Sequence, residues 1–447
     1  MVEEDKLQGY TGRVRRILEE AGVEIGDEVE VQVEGKTHHG ILIARYELAD
    51  PDHIVLKLPN GYNIGIRVKG DFKVRRIAKA KKPGFTPPPR PGARPGLPKV
   101  TIVSTGGTIA SRIDYRTGGV KPALNAEDLL SIVPELSEIA DLGSEILFSI
   151  FSEDMTPSLW SQMAERVHKL IESGEEGVVI AHGTDTMGYS SAALSFALQK
   201  PPVPIVFVGA QRSSDRPSSD AATNLIAAVR VAGHAPFAEV CLTMHAWHSD
   251  DVIAVHRGTR VRKLHTSSRD AFRSVNHEPI AYVIGGEIKV NAESLNPRGG
   301  NGYKFRPRFS EEVALVKFYP GMGPEIFEAL AKRGVKGIIV EGSGLGHVAN
   351  RLIPTLRRLI EEGVFIGMTS QCLWGRVNMR VYQTGRDLLR IGVIPLDDML
   401  PETAYVKLSW CLAQTRDLEE VRELMLTPIA GEIGARSMPT KPEEVVH

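Results

Sequence analysis

The stretch KVTIVSTGGTIAS, residues 99–111, decides the architecture. Val100-Thr101-Ile102-Val103 is a β-branched apolar run without alternation, the pattern of a strand covered on both faces. It runs into Ser104-Thr105-Gly106-Gly107-Thr108. Two consecutive glycines let the backbone turn sharply and let a ligand approach the chain. A phosphate-binding P-loop does not fit, because it needs Gly-Lys-Ser/Thr after its glycines, and here Thr108 follows Gly107 with no lysine nearby. The hydroxyls around the glycines are then the candidate chemistry, with a plain tight turn as the alternative.

Downstream the pattern repeats. ILFSIF (146–151) precedes a helix expected from Ser158, GVVIAH (177–182) one from Thr186, and VPIVFVGA (203–210) one near Ser219. Strands alternating with helices imply βαβ units around a parallel sheet with right-handed crossovers. Ligands in such sheets bind outside the carboxyl ends of the strands. STGGT and AHGTDT are both strand-end loops, so they face one crevice. A break rich in Gly, Asn and Pro follows at 291–312, after which VALVKF, VKGIIVEGSG and VFIGMTS restart the alternation as a second, smaller α/β domain.

Upstream, KKPGFTPPPRPGARPGLPK (81–99) is a semi-extended spacer that cannot join a core. Before it, a short helix near Gly12–Ala21 is followed by five short strand patterns within DEVEVQVEG, HHGILIARY, HIVLKL, YNIGIRV and FKVRRIA. Pro59-Asn60-Gly61 is a hairpin signal. The set reads as a small all-β, SH3-like barrel. The expected organisation is therefore a barrel at 1–80, a linker at 81–99, α/β domains at 100–292 and 313–435 separated by a linker at 293–312, and a tail at 436–447.

The 447 residues carry a formal charge of -1, which argues against a broad phosphate-binding surface. Cys241, Cys372 and Cys411 are the 3 cysteines and form no CxxC pair, so a disulfide framework or structural zinc is not expected and a reducing compartment fits. The polar, acidic start MVEEDKLQGY is no signal peptide, and no run is long enough to span a bilayer. The expected location is the cytoplasm.

In VVIAHGTDTM (178–187), Thr184 offers a hydroxyl and Asp185 a carboxylate just past a buried strand, although Asp185 also reads as the N-cap of the next helix. A hydroxyl nucleophile needs a base and an orienting partner. No GxSxG elbow is present. A lysine serves as base where burial disfavours its charge, and a carboxylate beside it opposes that. Further features are read as follows. EGSGLGH (341–347) has the spacing of a tight turn rather than a dinucleotide loop. MHAWHSDD (244–251) offers His245 and His248 as conceivable metal ligands. His182 reads as a packing residue, and Asp215, Arg216 and Asp220 as caps.

STGGTIA and HGTDTM, in this order and spacing, resemble the two signatures of the L-asparaginase/glutaminase family. IDYRTGGV, FSEDMTP, VGAQR and RKLHTSSRDAFRSVN match around them, so the resemblance covers Val100 to Glu432. It implies an asparaginase-like pair of α/β domains that hydrolyse a side-chain amide to a carboxylate and ammonia. Matched by motif, Thr108 and Thr184 are the two active-site hydroxyls, with Asp185 and Lys263 beside them and Tyr115 paired with Thr108. Ser152 and Glu153 fall where the family grips the α-carboxylate and α-amino groups. Many members carry glutamine at the second of these positions. Asp185 would also hold the α-ammonium.

The added barrel and spacer, with TSQCLWGRVNM and DDMLPETAYVKLSW, narrow the resemblance to the D subunits of archaeal glutamyl-tRNA(Gln) amidotransferases. That implies glutamine as substrate and ammonia handed to the E subunit of the amidotransferase, which uses ATP and Mg on Glu-tRNA(Gln). It implies no cofactor or metal in this chain, contact with tRNA(Gln) mainly through the partner, and a homodimer within a heterotetramer. The absence of GxxxxGK[ST] agrees with this division. The rivals are a free-standing cytoplasmic L-asparaginase and a non-catalytic binding protein. Against the latter stand the intact Thr108, Thr184, Asp185 and Lys263.

Overall fold

The computed structural model describes residues 7, 9–43, 45, 50–59, 63–68, 70–79, 96–107, 111–113, 120–122, 133–212 and 218–437. In the N-terminal unit a helix at Gly12–Glu20 precedes β1 (Glu28–Val33), β2 (Lys36–Leu42), β3 (His53–Lys57), β4 (Asn63–Arg67) and β5 (Phe72–Ala78). The five form one antiparallel sheet in the order β4-β3-β2-β1-β5, the last strand returning beside the first. Alternation decides which face is buried: Val29, Val31 and Val33 point inward with Leu42, Ile54, Leu56 and Ile66, and Val14 and Leu18 of the helix cover them. The Tyr10 hydroxyl donates to Ile43 O at 3.0 Å and accepts from Val55 N at 3.0 Å, tying the helix entry to β3.

The next unit contains β6 (Lys99–Gly106), the small pair β7 (Ser111–Ile113) and β8 (Val120–Pro122), β9 (Asp141–Ile150), β10 (Gly177–Ala181), the two-residue β11 (Leu198–Gln199), β12 (Ile205–Val208) and β13 (Val240–His245). It continues with β14 (Val252–Arg257), β15 (Val261–Lys263), β16 (Phe272–Ser274), β17 (Ala281–Ile284), β18 (Glu287–Val290) and β19 (Lys304–Phe305). Eight of these make the main sheet, in the order β18-β17-β14-β13-β12-β10-β6-β9.

The expected parallel sheet is correct only for β9-β6-β10-β12-β13. β14, β17 and β18 add antiparallel, so the sheet is mixed. The reason lies in the connections. A parallel crossover takes a dozen or more residues, and only residues 246–251 join β13 to β14. β17 and β18 are joined by Gly285 and Gly286 at φ +56° and +85°, the positive pair that a tight hairpin turn needs.

β6 is covered on both faces as its composition implies. Val100 and Ile102 pack towards the helix Ala221–His234, and Val103 towards the helices Pro157–Glu172 and Met187–Ala197.

The last unit is a parallel sheet of β20 (Val313–Lys317), β21 (Gly337–Gly342), β22 (Phe365–Ser370) and β23 (Ile394–Pro395) in chain order. The two α/β units share a core in which Trp160, Ala192 and Phe196 meet Ile339, Phe365, Leu396 and Trp410. Two buried ion pairs lie close by. Arg260 joins Asp398 at 3.1 Å across the units, and Lys407 on the helix Pro401–Gln414 joins Glu432. The Lys407 ammonium also donates to Met425 O and Thr427 O, which pins the segment after the helix Leu418–Leu426.

Candidate active site

Four loops at the carboxyl ends of adjacent parallel strands meet backbone to backbone. Gly106 and Gly107, at the end of β6, have φ of +107° and +84°. A Cβ on Gly107 would lie 2.5 Å from Gly183 Cα. One on Gly183, after β10, would lie 2.7 Å from Ser152 Cβ, after β9. One on Gly209, after β12, would lie 2.8 Å from Thr184 Cγ2. The glycines are there because side chains would hold these loops apart.

Onto this floor β15 brings Lys263. Its Nζ donates to Thr184 Oγ1 at 2.8 Å and to Asp185 Oδ1 at 2.9 Å. The lysine side chain is 12% exposed and that of Asp185 69%, so the amine is sheltered while the carboxylate faces solvent. Asp185 is therefore not spent as a cap. The N-cap of the helix Met187–Ala197 is Thr186, and its hydroxyl donates to Ser152 O at 2.6 Å instead of capping. Ser152 is buried and Glu153 exposed in the short 3₁₀ turn Ser152–Asp154. Thr184, Asp185, Lys263 and Ser152 are thus brought together at the strand ends, with Glu153 beside Ser152 on the same turn and the amine within proton-transfer reach of the Thr184 hydroxyl. Thr108 and Tyr115 lie outside the described residues, as do Asp215 and Arg216.

Asp220 stands at the N-cap position of the helix Ala221–His234 but does not cap it with its side chain as expected, because its carboxylate is taken by the loop before the helix. It is fully buried and accepts the backbone N–H groups of Gln211 and Arg212, which shapes the loop after β12. Asn224, one helical turn on, donates to Gly209 O and to Asp220. Its Oδ1 faces His245 Nδ1 at 2.7 Å, and His245 Nε2 meets Asp250 at 2.9 Å. Asn224 was not singled out by the sequence, although its spacing from Asp220 on one helix face was the available signal, and the His245–Asp250 contact joins two residues of the MHAWHSDD motif in a hydrogen bond. His248 is exposed and lies 3.4 Å from Asp270. EGSGLGH is a tight turn at the end of β21, with Gly344 and Gly346 at φ +51° and +97° and Ser343 bridged to His347.

His182 is buried beside the site, its Nδ1 donating to Gly183 O at 2.7 Å while Nε2 has no partner among the described residues. Burial pushes its pKa down to about 4, and that of His256 to about 3. The unfolded chain binds these protons below about pH 6.5 and the fold does not, so the unfolded state holds more protons in that window. Stability then falls as pH falls from about 6.5, by roughly 1.4 kcal/mol per pH unit for each histidine. Urea unfolding at pH 7 and pH 5 should show a lower midpoint at pH 5, and His256→Gln should make the dependence shallower. An unchanged slope in that variant would contradict the assignment.

Comparison with known proteins follows the same division of the chain. Residues 99–296 match the family profile described as "Asparaginase, N-terminal", and 312–425 that of the "Glutaminase/Asparaginase C-terminal domain". Residues 23–77 match the "GatD N-terminal domain". The chain is 52% identical over 445 residues to the D subunit of glutamyl-tRNA(Gln) amidotransferase from Thermofilum pendens, covering 96% of this chain and 97% of that one. It is 52% identical over 430 residues to that of Pyrococcus abyssi, covering 94% and 97%. Among solved structures, the thermostable L-asparaginase from Thermococcus kodakarensis superimposes with a TM-score of 0.69 at 34% identity, over 75% of this chain and 99% of that chain.

Proposed function

The chain belongs to the D-subunit family of glutamyl-tRNA(Gln) amidotransferases, and from that premise we propose that it hydrolyses glutamine to glutamate and ammonia for an ATP-using partner. That partner, the E subunit, uses the ammonia with ATP and Mg to convert Glu-tRNA(Gln) to Gln-tRNA(Gln). The observation that carries the reading is the Lys263–Thr184–Asp185 contact at the strand ends.

In the proposed reaction one of two hydroxyls, Thr108 or Thr184, attacks the side-chain amide carbon, and its proton passes towards the amine of Lys263. The C–N bond breaks with a proton delivered to nitrogen, leaving an acyl ester and ammonia. Water then attacks the ester, and the carboxylate and the free hydroxyl are regenerated. Ser152, Glu153 and Asp185 hold the α-carboxylate and α-ammonium, and Tyr115 orients Thr108. Asp185 and Glu153 are both exposed, which supports a role in meeting a cation. The chain needs no cofactor of its own for these steps.

The assembly is a homodimer within a heterotetramer, with the tight turn Gly342–His347 at the contact between copies, and tRNA(Gln) is engaged mainly through the ATP-using partner. The setting is the cytoplasm. The three cysteines are unpaired, which supports a reducing compartment, and no helix among the described residues is long and apolar enough to cross a membrane.

The test is glutamine and asparagine turnover by the purified chain alone and then with its amidotransferase partner and Glu-tRNA(Gln), with light scattering on both samples. The chain alone should scatter at about twice its own mass, and glutamine turnover should rise when partner and tRNA are added. A monomer that turns over asparagine freely and ignores the partner would instead be the free-standing asparaginase.

A further inference from the structure

The two halves of the candidate catalytic contact are held by different parts of the molecule. Thr184 and Asp185 stand on the loop after β10, in the five-stranded parallel part of the main sheet. Lys263 stands at the end of β15, which pairs with β16 alone and joins no other ladder among the described residues. A three-residue, two-stranded ribbon has no stability of its own. Whatever fixes its position fixes the amine.

On one side Val261 and Phe272 pack into the core of the first α/β unit, and on the other the second α/β unit holds Thr259 and Arg260, the two residues that lead into β15. Thr259 Oγ1 donates to Ala430 O at 2.9 Å, and Arg260 Nε to Gly431 O at 2.8 Å. Arg260 Nη1 donates both to the Asp398 carboxylate, at 3.1 Å, and to the Asp398 carbonyl, at 3.2 Å. The other oxygen of that carboxylate accepts Gly434 N at 2.9 Å. The Arg260 and Asp398 side chains are 1% and 0% exposed. A buried ion pair adds little net stability, because desolvation offsets the attraction. What the planar guanidinium supplies is a fixed direction, since its donors form a rigid fork. Arg260 lies three residues before Lys263, about 10 Å along an extended chain.

We propose that Asp398 is the positioning residue for Lys263: through Arg260, the second α/β unit holds the amine at hydrogen-bond distance from Thr184. The proposal rests on the reading of Lys263 as the active-site amine. Proton transfer requires a separation of about 2.6–3.2 Å, and the amine stands at 2.8 Å, so a small shift of β15 breaks the contact. A misplacement of about 1 Å can cost about 10²-fold in rate. Ser152 and Glu153, assigned to the substrate's α-carbon, stand on other loops and would be unmoved, and Asp185, on the loop after β10, would lose only its contact with the amine. The signature is a loss in kcat with KM nearly unchanged.

The experiment uses the complex of this chain with its ATP-using partner and measures glutamine turnover. Asp398→Asn keeps an acceptor for Gly434 N but strands the Arg260 charge. The double variant Arg260→Met, Asp398→Asn leaves no lone charge buried and should melt near wild type. Both are expected to lose about 10²-fold in kcat, with KM for glutamine within about twofold of wild type. Amidation driven by ammonium should be unchanged, which reports that the complex is intact. A folded double variant with kcat within about twofold of wild type overturns the proposal, and so does a loss confined to KM. Failure of both variants to fold also overturns it, because the pair would then be needed by the fold as a whole. Lys263→Met run beside them separates the two levels. If it keeps wild-type kcat, the reading of the site fails. If it is inactive while the double variant is active, only the positioning fails.

Discussion

Amidation of Glu-tRNA(Gln) with glutamine as donor is expected to fall nearly to background in Thr184→Val and in Lys263→Met, and to return in both when ammonium salt is supplied. Valine keeps nearly the volume of threonine and removes only the hydroxyl. Methionine keeps much of the lysine stem and removes the amine. Both changes act on one 2.8 Å contact, so each should remove the same step. Loss of a positioned acid or base typically costs about 10²–10⁴-fold, and loss of a nucleophile at least as much. Thr108→Val should behave alike on the proposed reading. The ligase chemistry needs only ammonia, so the split between donors is the diagnostic. Equal loss with both donors, in a complex that still assembles, would mean that these residues do not form a separate amide-hydrolysing site.

The second large effect is expected from a single methyl group. In Gly107→Ala the new Cβ would sit 2.5 Å from Gly183 Cα and 2.8 Å from the His182 carbonyl carbon, at a φ of +84°. Backbone cannot swing aside as a side chain can, so the loops after β6 and β10 must separate. Gly174→Ala supplies the control: its φ is +90°, but nothing lies within 4 Å of its Cβ. The control isolates the cost of a left-handed alanine, about 1 kcal/mol or somewhat more. Gly107→Ala should add the overlap to that cost and lose glutamine turnover by about 10²-fold, because the loop after β10, which carries Thr184, is pushed from its place. Urea unfolding and turnover, measured on both variants, decide the matter. Were the two to behave alike, the loops would not be in tight contact.

What could be read from the residues followed from periodicity and from turn chemistry. β6 and its glycines, the five N-terminal strands, and the placing of Thr184 and Asp185 past a buried strand all rest on local pattern. The antiparallel half of the main sheet was not foreseen, because strands buried on both faces look alike whichever way they run. The connection lengths carried the information, and residues 246–251 are too few for a crossover. Lys263 was reachable only through the family resemblance. It sits on a short ribbon far along the chain, and nothing local marks it.

Arg260, Asp398, Lys407 and Glu432 were invisible for a different reason. Charged residues usually lie on solvated faces, and only the packing of two sheets against each other reveals that these four are buried.

The segment that receives the Arg260 side chain is made late in synthesis. Residues 427–434 supply the carbonyl of Gly431, the N–H of Gly434 and the Glu432 carboxylate that locks Lys407. A chain emerging from the ribosome folds from its N-terminal end, so the threonine loops are laid down while this segment is still unmade. Until it arrives, the ribbon bearing Lys263 has lost part of its anchorage. The candidate site therefore draws on both ends of the α/β region, and its full set of supports exists only once the last turn of the second unit has been made and folded.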